Sequence, residues 1–325
     1  MPVPLWQAGG SVSFSHGAWL DRPGMNSITL LLAALAVLAG VYVVVWARLA
    51  ARAPRVPAGG AGPRVLDLVV GFATNFLDTL GIGNFATTTA AFKLFRLVPD
   101  ERIPGTLNVG HTLPVVTEAL IYVGILKVDV TTLVAMIAAA VAGAWLGAGI
   151  VARLPRRAIQ LGMGFALLVA AALLILSLSG VLTQLSGEAL HLGGGRLVLG
   201  VAGNFVLGAL MTLGIGLYAP CMILVSLLGM SPVAAFPIMM GSCAFLMPIG
   251  SLRFIALGKC DLRVALGLTI GGIPGVLLAA FLVKSLSLDA VRGLVVVVVV
   301  YAALMMLRSA WIERVPAAGS SPSLS

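Results

Sequence analysis

The pentapeptide Thr79-Leu80-Gly81-Ile82-Gly83 returns unchanged as Thr212-Leu213-Gly214-Ile215-Gly216, and each copy sits in the middle of an apolar run long enough to enter a bilayer. A glycine pair interrupts a helix there. Lipid offers the freed backbone groups no hydrogen-bond partners, so such a break persists only where protein or a polar cavity satisfies it. Two breaks at corresponding places of two halves are also the sequence pattern that points to a transport site.

Composition agrees on the solvent. With 60% hydrophobic residues, 10% charged residues and a mean hydropathy of +1.11, the chain has more apolar surface than a soluble globule can hide. The net charge of +9 does not point to nucleic acid, because the basic residues are scattered at the ends of apolar runs and form no basic face. Cys221, Cys243 and Cys260 are an odd set without metal-ligand spacing, so neither a disulfide framework nor a zinc site is implied. No cofactor or metal is called for.

The expected fold is an all-α polytopic membrane protein with two inverted four-segment repeats, each opening on a broken or re-entrant helical hairpin, plus one extra N-terminal transmembrane helix. Residues 1–25 read as an extension, with Met25 an alternative start. Residues 26–47 give the extra helix and 48–64 a basic linker rich in Pro and Gly. The first repeat runs over 65–179, a loop over 180–195, the second repeat over 196–309 and a tail over 310–325. Pro104 falls opposite Pro237, Lys127-Val128-Asp129 opposite Lys259-Cys260-Asp261, and Gly143 opposite Gly275, at an offset of about 132 to 133 residues. Asp129 and Asp261 each open a span and read as helix N-caps.

Length and charge decide how the broken segments run. A straight helix from Leu66 to Phe95 extends roughly 45 Å, against a hydrocarbon core of about 30 Å. If both broken segments turn back and the N-terminus is outside, only Arg22, Lys127, Arg196, Lys284 and Arg292 remain outside, and the other fifteen of the 20 basic residues are cytoplasmic. Letting both cross divides them eleven to nine. The positive-inside bias therefore favours seven crossings and two hairpins, a C-terminus in the cytoplasm, and halves of opposite orientation.

At each hairpin tip the second half-helix presents unpaired N–H groups, which suits an anion. The substrate-binding residues expected on this basis are Gly81, Gly83, Asn84, Thr87 and Thr88 at the first break and Gly214, Gly216, Tyr218 and Cys221 at the second. From the helices that follow come Asn108 and His111, with Ser242 and Cys243. Glycines also permit close helix packing, and threonines also bond back to the preceding turn, so packing stands beside the site reading. Asp78, just before the first tip, carries a charge that costs about 2.5 to 3.5 kcal/mol at membrane depth. It reads either as a proton carrier or as an acceptor that holds the break in shape. His111 and Glu118 share a helix face two turns apart and complete the proton-coupling set with Asp78. Arg253, near the end of its helix, reads as a snorkelling side chain or as an anion contact at the entrance.

Asp78 to Asn84, Pro104-Gly105-Thr106-Leu107-Asn108-Val109-Gly110-His111, Thr212 to Cys221 and Pro237 to Pro248 resemble the sulfite exporter TauE/SafE family, over roughly Val65 to Met306. In this chain Gly81-Ile82-Gly83-Asn84 leads into threonines where the family pattern has adjacent glycines and then proline; Pro220 follows only the second break. The resemblance implies a transporter of sulfur-containing or organic anions in the cell (inner) membrane, with a small anion and the lipid bilayer as partners. A coupling proton or sodium ion and a homodimer are compatible with it. Alternating access by a secondary transporter is the expected mechanism, an anion channel its rival, and an intramembrane enzyme built on Cys221, Cys243 and His111 the rival from another class; no enzymatic activity is expected.

Overall fold

The computed structural model describes residues 25–52, 62–123, 128–179, 187–282 and 288–312. Among them the chain forms eleven α-helices and no strand. In order these are α1 Met25–Arg52, α2 Val65–Thr79, α3 Asn84–Phe95, α4 Ile103–Tyr122, α5 Val130–Val151, α6 Arg156–Leu178, α7 Gly194–Met211, α8 Tyr218–Leu227, α9 Pro232–Ala256, α10 Leu262–Leu282 and α11 Leu288–Ile312. A 3-10 turn at Asp100–Arg102 leads into α4. The expectations for the extension, most of the linker, the loop over 180–186 and the tail over 313–325 lie outside the described residues, as do Arg22, Lys127 and Lys284.

Among the described residues six helices are long and apolar enough to cross a bilayer: α1, α5, α6, α7, α9 and α10. Large apolar side chains such as Leu30, Ile150, Phe165, Val198 and Phe281 stand exposed on their outer faces, which in water would be untenable and in lipid is expected. The chain is an all-helical, multi-pass membrane protein.

The helices pair in a pattern that survives exchange of the two halves. α2 packs along α10 as α7 packs along α5; α4 packs on α10 as α9 packs on α5; α4 meets α9 and α6 meets α11. Small residues set the two closest pairings. A Cβ on Gly71 would come within 2.6 Å of Leu268 Cα, and one on Gly271 or Gly275 would run into the backbone of Leu68 or Phe72. On the other side, side chains at Gly143 and Gly208 would strike the backbones of Phe205 and Ala140. Backbone-to-backbone approach of this kind is how helices gain packing where lipid removes the hydrophobic drive. α1 joins through a single stripe, Leu35, Tyr42 and Trp46, with the Tyr42 hydroxyl donating to Val109 O at 3.2 Å.

Several contacts fix which helix ends lie together. Asp261 N–H donates to Thr106 Oγ1 (2.9 Å), so α4 starts where α10 starts, and Gly267, one turn further on, lies against Asp67 near the start of α2. The chain thus enters α2 and leaves α3 for α4 at the same end of α10. At the opposite end, Asp129 N–H donates to Leu190 O and Leu192 N–H to Thr132 Oγ1, while Ala189 is bridged to Met230 just past α8. There the chain both enters α7 and leaves α8. Arg64, Lys93, Arg96, Arg153, Arg156, Arg253 and Lys259 gather at the first of these ends, the basic end.

Asp129 and Asp261 cap α5 and α10 as expected, accepting from Thr132 N–H (2.8 Å) and Val264 N–H (3.0 Å). One equivalence breaks down. Pro104 stands in the first turn of α4, but its counterpart Pro237 lies inside α9, which begins a turn earlier at Pro232. Proline at a first turn costs no hydrogen bond, and Pro232 takes that place in the second half.

Candidate functional site

The duplicated pentapeptide is a duplicated helix cap. Gly81 (φ 84°) follows the end of α2 in the left-handed region; its N–H donates to Asp78 O (2.7 Å) and Ile82 N–H reaches back to Leu77 O (3.1 Å). Gly214 (φ 103°) ends α7 with the same two bonds, Gly214 N–H to Met211 O (3.0 Å) and Ile215 N–H to Leu210 O (3.4 Å). Glycine takes this conformation without strain, and the paired bonds satisfy carbonyls that lipid could not. After the caps the halves diverge. α3 starts at Asn84, directly after Gly83, but α8 waits until Tyr218, placing Pro220 in its first turn where no N–H is needed.

The two breaks meet. Gly216 lies against Phe85, its would-be Cβ 3.9 Å from Phe85 Cβ, and between the breaks is a cavity of about 50 Å³. At roughly 10 to 15 Å³ per water-sized group it holds three to five of them. Gly83, Asn84, Gly216, Tyr218 and Cys243 line it, together with Asp78, apolar side chains of both breaks, Val115 and three residues of α6. No lysine or arginine is in this lining. The first turns of α3 and α8 both abut the space.

Asp78 is buried, and its two oxygens differ. The carboxyl accepts from Asn84 N–H, the first amide of α3, while Oδ2 has no hydrogen-bond partner. Glu118 stands behind the cavity wall and ties the breaks to each other: the Tyr218 hydroxyl donates to Oε2 at 2.7 Å, and Thr79 Oγ1 lies 2.5 Å from Oε1. Thr79 also lies 2.9 Å from Asn75 O. One hydroxyl proton serves one acceptor, so a proton on Glu118 would complete this set.

His111 does not line the cavity. Its Nδ1 lies 3.0 Å from Asn75 Oδ1 and its Nε2 2.9 Å from Thr88 Oγ1, and Asn75 Oδ1 also accepts from Asn84 Nδ2 (3.2 Å). The Asn75 amide donates its N–H to Gly71 O, which turns its oxygen toward the histidine, so Nδ1 carries the proton and Nε2 accepts from Thr88. This staple holds α2, α3 and α4 together around the first break. Gly81, Thr87, Thr88, Asn108, Gly214, Cys221 and Ser242 also stand outside the lining. Thr87 bonds back to Gly83 O and Asn84 O, Asn108 to Pro104 O with its Oδ1 left unpartnered, and Ser242 accepts from Asn204 Nδ2, which also donates to Met136 O. Cys221 is buried beyond the lining, and Cys243 faces Met211 Sδ at 3.6 Å. Outside the spans, burial pushes the Cys260 thiol up to about 12, with Asp261 adding to the effect and Arg102 opposing it.

A family model described as sulfite exporter TauE/SafE matches residues 4–174 and 196–324. The chain belongs to the sulfite exporter TauE/SafE family. No curated protein and no solved structure matches it. Membership in TauE/SafE makes it a membrane transporter of sulfite- or anion-like substrates and not an enzyme, and the match runs across both breaks and all the helices that surround them.

Proposed function

We propose that this TauE/SafE protein is a secondary transporter that carries a small oxyanion of the sulfite type together with a proton, with the cavity between the breaks as its binding site. The observation that carries the reading is the cavity's lining: two converging helix N-termini and one carboxyl, Asp78, without a balancing cation. The helix N-termini favour an anion. An ionised Asp78 opposes it: two like charges about 4 Å apart repel by roughly 4 kcal/mol even at an effective dielectric of about 20. Asp78 already occupies the amide end of α3, so an incoming anion takes over that place only as the carboxyl gains a proton. The site then holds one net negative charge both empty and loaded, and the loaded form crosses without an added charge penalty. The cavity volume suits four heavy atoms better than a long organic anion. His111, fully engaged in its staple, serves as a positioning residue, and Glu118 as a second proton holder that links the halves. The inverted plan of the halves, supported by their exchanged helix pairings, provides for alternating exposure, with the basic end facing the cytoplasm.

Sulfite flux in proteoliposomes tests this. Wild type is expected to accumulate sulfite against its gradient when a pH gradient is imposed. Asp78→Asn keeps sulfite counterflow exchange but loses the pH-driven accumulation at least tenfold. Equal pH-driven accumulation by the variant sinks the coupling role, and rapid non-saturating flux without counterflow supports a channel instead.

A further inference from the structure

A second cavity lies far from the breaks in character: an open groove of about 470 Å³ on the outside of the bundle, between the ends of α5 and α9. Trp145, Leu146, Gly149, Ile150, Arg153, Leu154 and Arg253 line it. Trp145, Leu146 and Ile150 are 55%, 47% and 64% exposed, so this wall faces lipid. The Arg253 guanidinium lies over the Trp145 ring, 5.4 Å from its centroid, and donates to Trp145 O at 2.8 Å. Gly149 makes room for it. A Cβ there would stand 2.6 Å from Arg253 Cζ, so the groove admits the guanidinium because this position has no side chain.

The charges of the groove are unbalanced. Among the described residues the carboxylates at the basic end are engaged elsewhere, Asp67 with Arg64, Asp100 with Lys93 and Arg156, Glu101 with Arg156, and Asp261 with the Val264 N–H; none pairs with Arg153 or Arg253. Capping of a carbonyl accounts for one N–H of Arg253, leaving four others and all of Arg153. Trp145 forms an aromatic wall of the groove about two turns deeper along α5 than Arg153, which follows the end of the helix. An occupant must therefore present a negative, multiply accepting group at the membrane surface and an apolar body along the exposed face of α5.

We infer that this groove binds an anionic phospholipid, its phosphodiester held by Arg153 and Arg253 and its acyl chains lying along Leu146 and Ile150. Basic pockets between helix ends on the positively charged side of a membrane protein are suited to such headgroups. The inference concerns the lipid-facing surface and stands whether or not the cavity between the breaks couples protons.

Native mass spectrometry of the full chain in detergent, supplemented with phosphatidylglycerol, phosphatidylcholine or inorganic phosphate, tests it. Phosphatidylglycerol adducts are expected to be retained in preference to phosphatidylcholine and to survive millimolar inorganic phosphate. Arg153→Gln, at an exposed position, should weaken retention about fivefold, and adding Arg253→Gln about twentyfold or more in total, at roughly fivefold per basic residue. Arg48→Gln, an equal charge change on α1, should leave retention unchanged. Equal retention of phosphatidylcholine, displacement by free phosphate, or undiminished retention by Arg153→Gln overturns the proposal. Because Arg153→Gln disturbs no ion pair, a folding defect of the double variant does not remove the test.

Discussion

Arg96 is the non-glycine residue, among those described, that takes a positive φ, at 51°, where α3 ends. Its counterpart in the second half is Gly229 (φ 88°), which ends α8 with its N–H on Ser226 O and Met230 N–H on Val225 O. The left-handed region costs an L side chain about 1 to 2 kcal/mol, a cost glycine lacks. Arg96→Gly is therefore expected to stabilise the protein by about 1 kcal/mol, less the entropy glycine loses on folding. Gly81→Ala and Gly214→Ala should destabilise it by about 1 to 2 kcal/mol from φ alone. Gly214→Ala should lose more, since its Cβ would sit 2.9 Å from Met163 Cε while Gly81 has nothing nearer than 4.0 Å. Thermal unfolding in detergent checks the order; a lower melting point for Arg96→Gly contradicts it. The repeated glycines were readable as breaks because their residue type is demanded by the conformation. Arg96 was not, because nothing in an arginine announces a left-handed cap.

Glu118 links elements that lie far apart in the chain: Thr79 closes α2, Tyr218 opens α8, and the carboxyl on α4 reaches both. Pairs that share one bridging group are non-additive when mutated. Thr79→Val and Tyr218→Phe are expected to couple by about 0.5 to 1 kcal/mol in unfolding free energy, and the coupling should vanish in a Glu118→Ala background. Additive effects in the wild-type background would show that the two hydroxyls act independently. Periodicity and offset placed Glu118 on a buried face with His111, but not this strap. By an offset of 132 to 133 Tyr218 aligns with Phe85 or Ala86 and Glu118 with Gly250 or Ser251, so the repeat that revealed the architecture hid the contact between unlike residues. The same asymmetry puts Met211 opposite Asp78, so a carboxyl in one half stands where the other half has a thioether. His111 was legible as a buried polar group, while the Asn75 and Thr88 that occupy both its nitrogens come from two other helices and needed the fold.

At the scale of the molecule, helix lengths leave each hairpin arm of the first break too short to cross: α2 of 15 residues and α3 of 12 extend about 22 and 18 Å, against a core of about 30 Å. Both arms meet the basic end, beside the start of α10, and the second pair of arms meets the other end beside the start of α5. A duplication read with an odd number of crossings per unit leads to an expected inversion of the halves from sequence, since charge bias and length both depend on residue type and not on contacts. Single cysteines test the orientation in whole cells or sealed vesicles. Gly62 and Gly193 have open space around them, and Pro99 is exposed at the turn before α4. The native thiols are buried, and Cys260, pushed up to about 12, stays protonated at neutral pH, so background labelling by a maleimide is low. Gly62→Cys and Pro99→Cys should both label only when the reagent reaches the cytoplasmic side, and Gly193→Cys only from outside. If the α2–α3 segment crosses the bilayer, Gly62→Cys and Pro99→Cys label from opposite sides, and the two breaks then approach the central cavity from one orientation instead of two.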